Sequence, residues 1–228
     1  MSSFFGEDAV RVFYETWQRY NHTFWPLVIV TYICAVVAII FSIRKTRYTN
    51  PFISAYLVFL WLWSGLVFHL LYLAPTPGGA RSYVSGTLFV IQSILVLIYG
   101  VFRKELDFKT GMNIYSRIGL MAVVNALIIY PIIGARTGHP FPDGPIFGIA
   151  PCPMAMFTFG MFLQTQGRFP IKLIIIPLLW ALTGFFALTV FELYASGGQL
   201  IIGVMGTLLI LYRNRRIEAN TVGTDREN

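Results

Sequence analysis

Two histidines and one cysteine are the side chains in this sequence best suited to hold a metal ion. They are His69, His139 and Cys152, and Cys152 stands between prolines in Pro151-Cys152-Pro153. Imidazole and thiolate groups are ligands for Zn²⁺, Cu⁺ and similar soft ions. The alternative is that His69 is an interfacial histidine bonded to a neighbour and Cys152 a small buried apolar residue. No fixed spacing joins the three, which favours this structural interpretation.

A second set of side chains is typical of a passage that binds a solute. Aromatic rings and amides within membrane helices bind solutes through ring contacts and hydrogen bonds. The set consists of Trp61, His69, Gln92, Asn125, Tyr130 and Trp180. Packing between helices explains the tryptophans more simply. No residue is expected to be catalytic.

The composition and the spacing of apolar residues predict an all-α, polytopic membrane protein. Of the 228 residues, 56% are hydrophobic and 12% are charged, whereas soluble domains average about 25% charged residues. The apolar residues form runs of about 20, the length at which a helix crosses roughly 30 Å of hydrocarbon. Seven transmembrane helices are expected, at Phe24–Ile43, Phe52–Ala74, Ser82–Phe102, Ser116–Ala135, Ile146–Thr165, Ile171–Phe191 and Gly198–Tyr212.

The basic residues predict which side of the membrane each loop occupies. Thirteen of the seventeen lysines and arginines lie in alternate loops and the C-terminal tail: Arg44, Lys45, Arg47, Arg103, Lys104, Lys109, Arg117, Arg168, Lys172, Arg213, Arg215, Arg216 and Arg226. Loops rich in Lys and Arg stay on the cytoplasmic side. The N-terminus is therefore expected outside and the C-terminus inside. The net charge of +7 is explained by topology and not by nucleic-acid binding.

Three regions are expected along the chain. Residues 1–23 carry apolar and charged side chains at helical spacing, which predicts an amphipathic helix at the membrane interface. Residues 24–213 form the seven-helix transmembrane domain. The polar residues 214–228 are expected to be a disordered cytoplasmic tail.

The segment Gly138–Gly160 is the most unusual part of the sequence. It contains five of the twelve prolines and leads directly into an apolar run. Proline lacks a backbone donor and disrupts the preceding helical turn, so non-helical backbone is expected at membrane depth. Such backbone is tolerated inside protein or beside a cavity. We expect these prolines to shape the mouth of a cavity on the outer side.

A short pattern occurs twice. The second span contains Leu60-Trp61-Leu-Trp-Ser-Gly65, and the sixth contains Leu179-Trp180-Ala-Leu-Thr-Gly184. This pattern predicts a parallel repeat, with spans one to three matching spans five to seven around the fourth. In transporters with parallel repeats the binding site lies at the repeat interface. The alternative is coincidence, because Trp, Gly and Ser are common in membrane helices.

Several of these motifs together resemble a bacterial family of multi-pass membrane proteins of unknown function. They are Trp61-Leu-Trp-Ser-Gly with His69, Tyr130-Pro131, Gly138-His139, Phe147-Gly-Ile-Ala-Pro-Cys-Pro153, Phe157-Thr-Phe-Gly160 and Pro177-Leu-Leu-Trp180. The resemblance spans nearly the whole chain. It implies an architecture and a bacterial inner-membrane location, and it implies no activity.

The preferred functional hypothesis is a membrane protein that binds or transports a small solute, with a soft metal ion among the candidates. The solute would enter an outward-facing cavity at the outer ends of spans two, four, five and six. The alternatives are a membrane-embedded enzyme that holds a metal or haem, and a non-catalytic sensor or partner subunit. An enzyme is less favoured, because it lacks the acidic general base that hydrolytic metal sites usually include, unless Asp143 or Glu192 serves. The sequence does not indicate a cofactor. The expected partners are the lipid bilayer and the small solute or metal ion, and the protein could form a homo-oligomer.

Overall fold

A computed structural model describes residues 7–77 and 79–224. Over these residues the chain folds into helices joined by loops. The α-helices are α1 (Glu7–Ile43), α2 (Thr49–Trp63), α3 (Ser82–Val96), α4 (Ile114–Val124), α5 (Tyr130–Arg136), α6 (Pro151–Leu163), α7 (Lys172–Leu182), α8 (Gly184–Val190) and α9 (Ser196–Thr224). Two short strands, β1 (Asp107–Phe108) and β2 (Thr165–Gln166), pair antiparallel. The all-α class is confirmed.

Three helices change to wider π geometry within the bundle. The π segment Ser64–Leu73 continues α2, Leu97–Phe102 continues α3, and Asn125–Ile129 joins α4 to α5. A 3₁₀ turn at Gly79–Arg81 precedes α3. Segments of π-helix are rare and often mark functional positions. The first of them contains His69.

Six helical stretches are long and apolar enough to cross a membrane. They are Val10–Ile43, Thr49–Leu73, Gly79–Phe102, Ile114–Arg136, Lys172–Val190 and Ser196–Asn220. Six of the seven predicted spans thus correspond to helices of sufficient length. The predicted orientation and repeat stay predictions.

The fifth predicted span, at 146–165, differs from the expectation. Its helix, α6, has thirteen residues and is about 20 Å long, which is shorter than the hydrocarbon layer. All thirteen residues are buried, and α6 packs against α4, α7 and α9. An added Cβ at Gly160 would lie 2.8 Å from the Gly119 carbonyl oxygen of α4, so the two backbones are in close contact. The apolar run reflects burial inside protein and not contact with lipid.

The end of α6 is held by a buried arginine. The guanidinium of Arg213 donates to the carbonyl oxygen of Thr165 at 2.7 Å and to its hydroxyl at 2.9 Å. Positive charge beside a helix C-terminus offsets the helix dipole, and these bonds satisfy a carbonyl that would otherwise be buried alone. Arg213 therefore stabilises a helix that ends inside the bundle.

The C-terminal residues 214–224 are helical, which corrects the expectation of a disordered tail over that stretch. The side-chain oxygen of Asn214 accepts from the Phe169 backbone N–H at 2.9 Å, and its amide donates to the Phe169 carbonyl at 2.8 Å. Glu218 pairs with Arg168 at 2.7 Å. These contacts order the end of α9. Residues 225–228 of the predicted tail lie outside the described residues.

The first helix is bent where its membrane segment was expected to begin. Phe24 has non-helical angles (φ −114°, ψ 15°), and Pro26 follows within the helix. Proline removes a helical hydrogen bond and bends the chain. We call residues 7–23 the α1 arm; residues 1–6 of the predicted interfacial helix lie outside the described residues. The arm packs on the end of the bundle that the charge distribution predicts to be outer.

Candidate functional site

His69 is the most unusual polar residue within the bundle. Its side chain is 2% exposed, and neither ring nitrogen has a hydrogen-bond partner among the residues that the structure describes. A neutral imidazole carries one donor and one acceptor, and leaving such a group unpaired when buried costs about 1–3 kcal/mol. Unpaired buried groups are uncommon in native proteins, and each calls for a physical reason.

Aromatic rings surround His69. Its ring centroid lies 5.1 Å from Phe68, 4.9 Å from Phe89 and 5.2 Å from Trp180. Phe89 also contacts Trp180 at 4.9 Å and Trp61 at 4.7 Å. We call these five residues the aromatic site. It lies where the π segment after α2, α3 and α7 meet.

A glycine allows Phe89 to reach this position. A Cβ added at Gly65 would lie 2.9 Å from the Gly86 carbonyl oxygen and 3.0 Å from the Phe89 Cβ. Any larger residue at position 65 would therefore push α3 away from α2. Trp61, His69 and Trp180 were predicted from the sequence. Phe68 and Phe89 were not, because no motif distinguishes them among the twenty phenylalanines.

Some polar groups around the site have hydrogen-bond partners in the described structure, and others do not. The indole N–H of Trp61 donates to the Thr158 hydroxyl at 3.1 Å, whereas the indole nitrogen of Trp180 is buried without a partner. Gln92, one turn deeper on α3 than Phe89, donates to the Leu173 carbonyl at 3.0 Å, and its side-chain oxygen is unpaired. Trp61 therefore has a structural role, while His69, Trp180 and Gln92 retain free bonding capacity.

Asn125 and Tyr130, the other predicted solute-binding residues, lie elsewhere. Asn125 faces α9, where a Cβ added at Gly198 would lie 3.1 Å from its side-chain oxygen. Tyr130 is 1% exposed and interacts with the Cys152 thiol and the Ser196 hydroxyl. Neither hydroxyl makes a hydrogen bond of normal geometry. Tyr130, Cys152 and Ser196 form a second buried cluster, apart from the aromatic site, whereas Asn125 is half-buried.

The three predicted metal ligands have separate surroundings. His69 belongs to the aromatic site, Cys152 to the Tyr130 cluster, and His139 accepts or donates a 3.0 Å bond with the Tyr14 hydroxyl. Within the described part of the chain, no three His, Cys, Asp or Glu side chains group as metal ligands. His69, His139 and Cys152 therefore do not form one metal-binding cluster in the described structure.

Pro151-Cys152-Pro153 has a structural explanation. A helix that begins inside protein leaves its first backbone N–H groups without partners. Here Pro151 and Pro153 have no N–H, and the Met154 N–H bonds to the Ala150 carbonyl at 3.3 Å. Only the Cys152 N–H remains to be satisfied in the first turn. The two prolines thus allow α6 to begin in a dry interior, and the thiol itself is buried.

The α1 arm holds the proline-rich loop before α6 through several hydrogen bonds. Gln18 donates to Asp143 at 3.0 Å, Asn21 donates to the carbonyls of Pro142 (2.6 Å) and Gly144 (2.8 Å), and Tyr20 donates to the Ile149 carbonyl at 3.1 Å. Four arm residues, Thr16, Trp17, Tyr20 and Asn21, are buried. The buried face of the arm therefore contacts protein.

His139 extends this contact at the edge of the loop. The Tyr14 hydroxyl donates to the Phe191 carbonyl, so its lone pair is left to accept from the His139 Nε2–H. Burial lowers the pKa of His139, and the carboxylates of Glu192 and Asp143 partly offset that lowering. His139 is therefore a neutral hydrogen-bond donor at pH 7.

The arm also covers the aromatic site from its own end of the bundle. Trp17 stacks on Phe68 with ring centroids 4.2 Å apart, and Phe68 contacts His69. Two clefts, of about 520 and 400 Å³, lie between the arm and the α2–α3 connection and share Arg19, Thr76 and Pro77. Neither cleft is lined by a residue of the aromatic site. Of the residues predicted to face an open cavity, His69, Tyr130 and Cys152 are buried, and His139 is part-buried.

A bundle with six candidate spans and a buried site defines a multi-pass helical membrane protein. The chain belongs to a family of unknown function, DUF6064, which matches residues 10–221. The sequence motifs also pointed to a family of unknown function, and the match agrees with them to that extent. No curated protein and no solved structure matches the sequence.

Proposed function

We propose that this protein binds a small solute at the aromatic site and carries it across the membrane. The observation that supports this most strongly is His69, whose two ring nitrogens are buried and unpaired. Polar residues kept within membrane helices at an energetic cost are functional candidates. A bound solute would give the His69 nitrogens and the Trp180 indole the partners that the protein does not supply.

We also propose that the α1 arm controls entry from the outer side. The bend at Phe24 separates the arm from the rest of α1, and Trp17 of the arm stacks on Phe68, which contacts His69. Movement of the arm at this bend would lift Trp17 and give the solute a route inward. Loops and segments that cover a site commonly move in this way on binding. The described arrangement then corresponds to a closed state.

The predicted parallel repeat supports the choice of site. Trp61 and Trp180, the tryptophans of the twice-occurring pattern, contact the same ring, Phe89, from different helices. The glycines of the pattern also correspond, because added Cβ atoms at Gly65 and Gly184 would lie 2.9 and 2.8 Å from a carbonyl of the following helix. The aromatic site would then lie between the two repeats, where transporters of this kind bind their solutes.

The first test measures solute binding by thermal stability. Purified protein is screened against amino acids, sugars, nucleosides and aromatic metabolites, with His69→Phe and His22→Phe as matched variants. His22 is exposed, so it reports the general effect of a His-to-Phe change. A solute at 100 times its Kd stabilises a protein by about 2.7 kcal/mol, which raises Tm by roughly 5–10 °C for this chain length. The shift should occur in wild type and His22→Phe only. A panel without any shift, or a shift that survives in His69→Phe, contradicts the proposal.

The second test locks the arm. Gln18→Cys and Asp143→Cys are introduced where the native pair is hydrogen-bonded, with Cys34 and Cys152 replaced by alanine. A short, cleavable thiol-reactive cross-linker should slow solute uptake into proteoliposomes, and reduction should restore it. The single variant Gln18→Cys, treated identically, controls for modification. Uptake that is unchanged by the cross-link would show that the arm does not control entry.

A further inference from the structure

We infer that the solute of the aromatic site is uncharged, with a flat aromatic or conjugated body that bears both a hydrogen-bond donor and an acceptor. This inference rests on the proposed function, since it describes the solute of the same site. Three features of the site support it: the absence of charged contacts, the free hydrogen-bonding groups and the shape of the surrounding rings.

The first feature is charge. The rings that contact His69 belong to Phe68, Phe89 and Trp180, none of which is charged. Ion pairs in the described chain, such as Arg11–Glu15 and Arg168–Glu218, lie in exposed positions outside the site. A charged solute here would lose its hydration without gaining a counter-ion, which is strongly unfavourable. Ring faces attract cations, but that attraction is smaller than the desolvation it would have to offset.

The second feature is the set of unpaired polar atoms. The neutral His69 ring provides one N–H donor and one acceptor nitrogen, and the Trp180 indole provides a second donor. A solute that satisfies both kinds of group must itself carry an acceptor and a donor. Primary amides and phenols have this combination.

The third feature is ring geometry. His69 meets Phe68, Phe89 and Trp180 at interplanar angles of 74°, 77° and 82°. Edge-to-face contacts of this kind leave ring faces and edges that a further flat ring can join. The rings are closely packed, so any solute must separate them to enter, and a flat ring separates them less than a bulky aliphatic group does.

Three probes of nearly the same shape test the charge requirement: benzamide, benzoate and benzamidinium, which are neutral, anionic and cationic at pH 7. Their Kd values are measured by equilibrium dialysis with purified wild type, His69→Phe and His22→Phe in detergent. We expect benzamide to bind wild type with a Kd on the order of 1 mM, as is usual for so small a ligand. Each charged probe should bind at least tenfold more weakly. His69→Phe should weaken benzamide binding at least tenfold, and His22→Phe should leave it unchanged.

The outcomes separate this inference from the proposed function. A charged probe that binds as tightly as benzamide, and depends on His69, would overturn the inference while the site itself stands. Absence of binding by all three probes would also overturn it. The proposed function fails under a different result, in which no solute of any charge shows binding that depends on His69.

Discussion

Replacing His69 by phenylalanine is expected to make the protein more stable and unable to bind its solute. Phenylalanine keeps an aromatic ring among Phe68, Phe89 and Trp180, and it removes two nitrogens that have no partner in the described structure. Removing an unsatisfied buried polar group relieves its desolvation cost. Most core substitutions destabilise, so a gain in stability at a buried position is a distinctive outcome.

The size of the gain follows from two opposing effects. Each unpaired buried group costs about 1–3 kcal/mol, so two nitrogens together account for roughly 4 kcal/mol. The larger phenylalanine ring must fit a site that is 98% buried, since His69 is 2% exposed, and overpacking costs about 1–3 kcal/mol. The expected net gain is about 2 kcal/mol. For a chain of this length that corresponds to a rise in Tm of roughly 4–8 °C.

The assay is thermal unfolding of purified protein in detergent, followed by intrinsic fluorescence without added solute. His22→Phe, at an exposed position, controls for the general effect of replacing histidine by phenylalanine. Its Tm is expected to stay within about 1 °C of wild type, because exposed substitutions have little effect.

An unchanged or lower Tm in His69→Phe would refute this reasoning. It would mean that the ring nitrogens are hydrogen-bonded in the folded protein and contribute to its stability. The central support for a solute site at His69 would then be lost.

Two further predictions concern the loop before α6 and the inner end of the bundle. Gly148→Ala is expected to prevent folding, because Gly148 has φ +95° and an added Cβ would lie 1.8 Å from the Thr31 hydroxyl. Gly138→Ala, with φ +92° and nothing within 4 Å, should cost only about 1–2 kcal/mol of backbone strain; equal yields and Tm values for the two variants would contradict this. Hydrogen bonds from Lys45 and then Asn50 lower the pKa of Asp107 below its usual 3.8, so the stability they give is present above about pH 4 and is lost as the pH falls through the lowered pKa. The Tm difference between wild type and Asp107→Asn should shrink over that range, and a difference independent of pH would exclude the linkage.

The membrane class could be read from the sequence because membrane crossing is a local requirement. A helix must carry about 20 apolar residues in succession, and that run is visible without any knowledge of its neighbours. The same argument could not distinguish α6 from a true span. Lipid and the interior of a protein are similarly apolar, so the run at 146–165 has the same composition in either place. Its length and full burial became clear only when the surrounding helices were positioned.

The candidate site was predicted in part. Residue type and depth predicted His69, Trp61 and Trp180. His69 contacts Trp180 directly, and Phe89, which carries no signal of its own, contacts all three. His139 and Cys152 were chosen by the same reasoning and lie in other surroundings. Contacts between residues more than a hundred positions apart depend on how helices pack, and packing depends on shapes that a single sequence does not display.

By itself, the sequence determined the helices, their apolar character and the proline-rich break before α6, since each follows from local backbone chemistry. Only the tertiary structure decided what that break does. It places Pro151 and Pro153 where missing N–H groups allow α6 to begin without unpaired donors, and it places the α1 arm over the loop that precedes them. The tertiary structure alone also shows that His69 lies among aromatic rings and that neither ring nitrogen has a hydrogen-bond partner among the described residues. Whether a buried polar group is satisfied depends on every helix that packs around it, so no local pattern could have shown it.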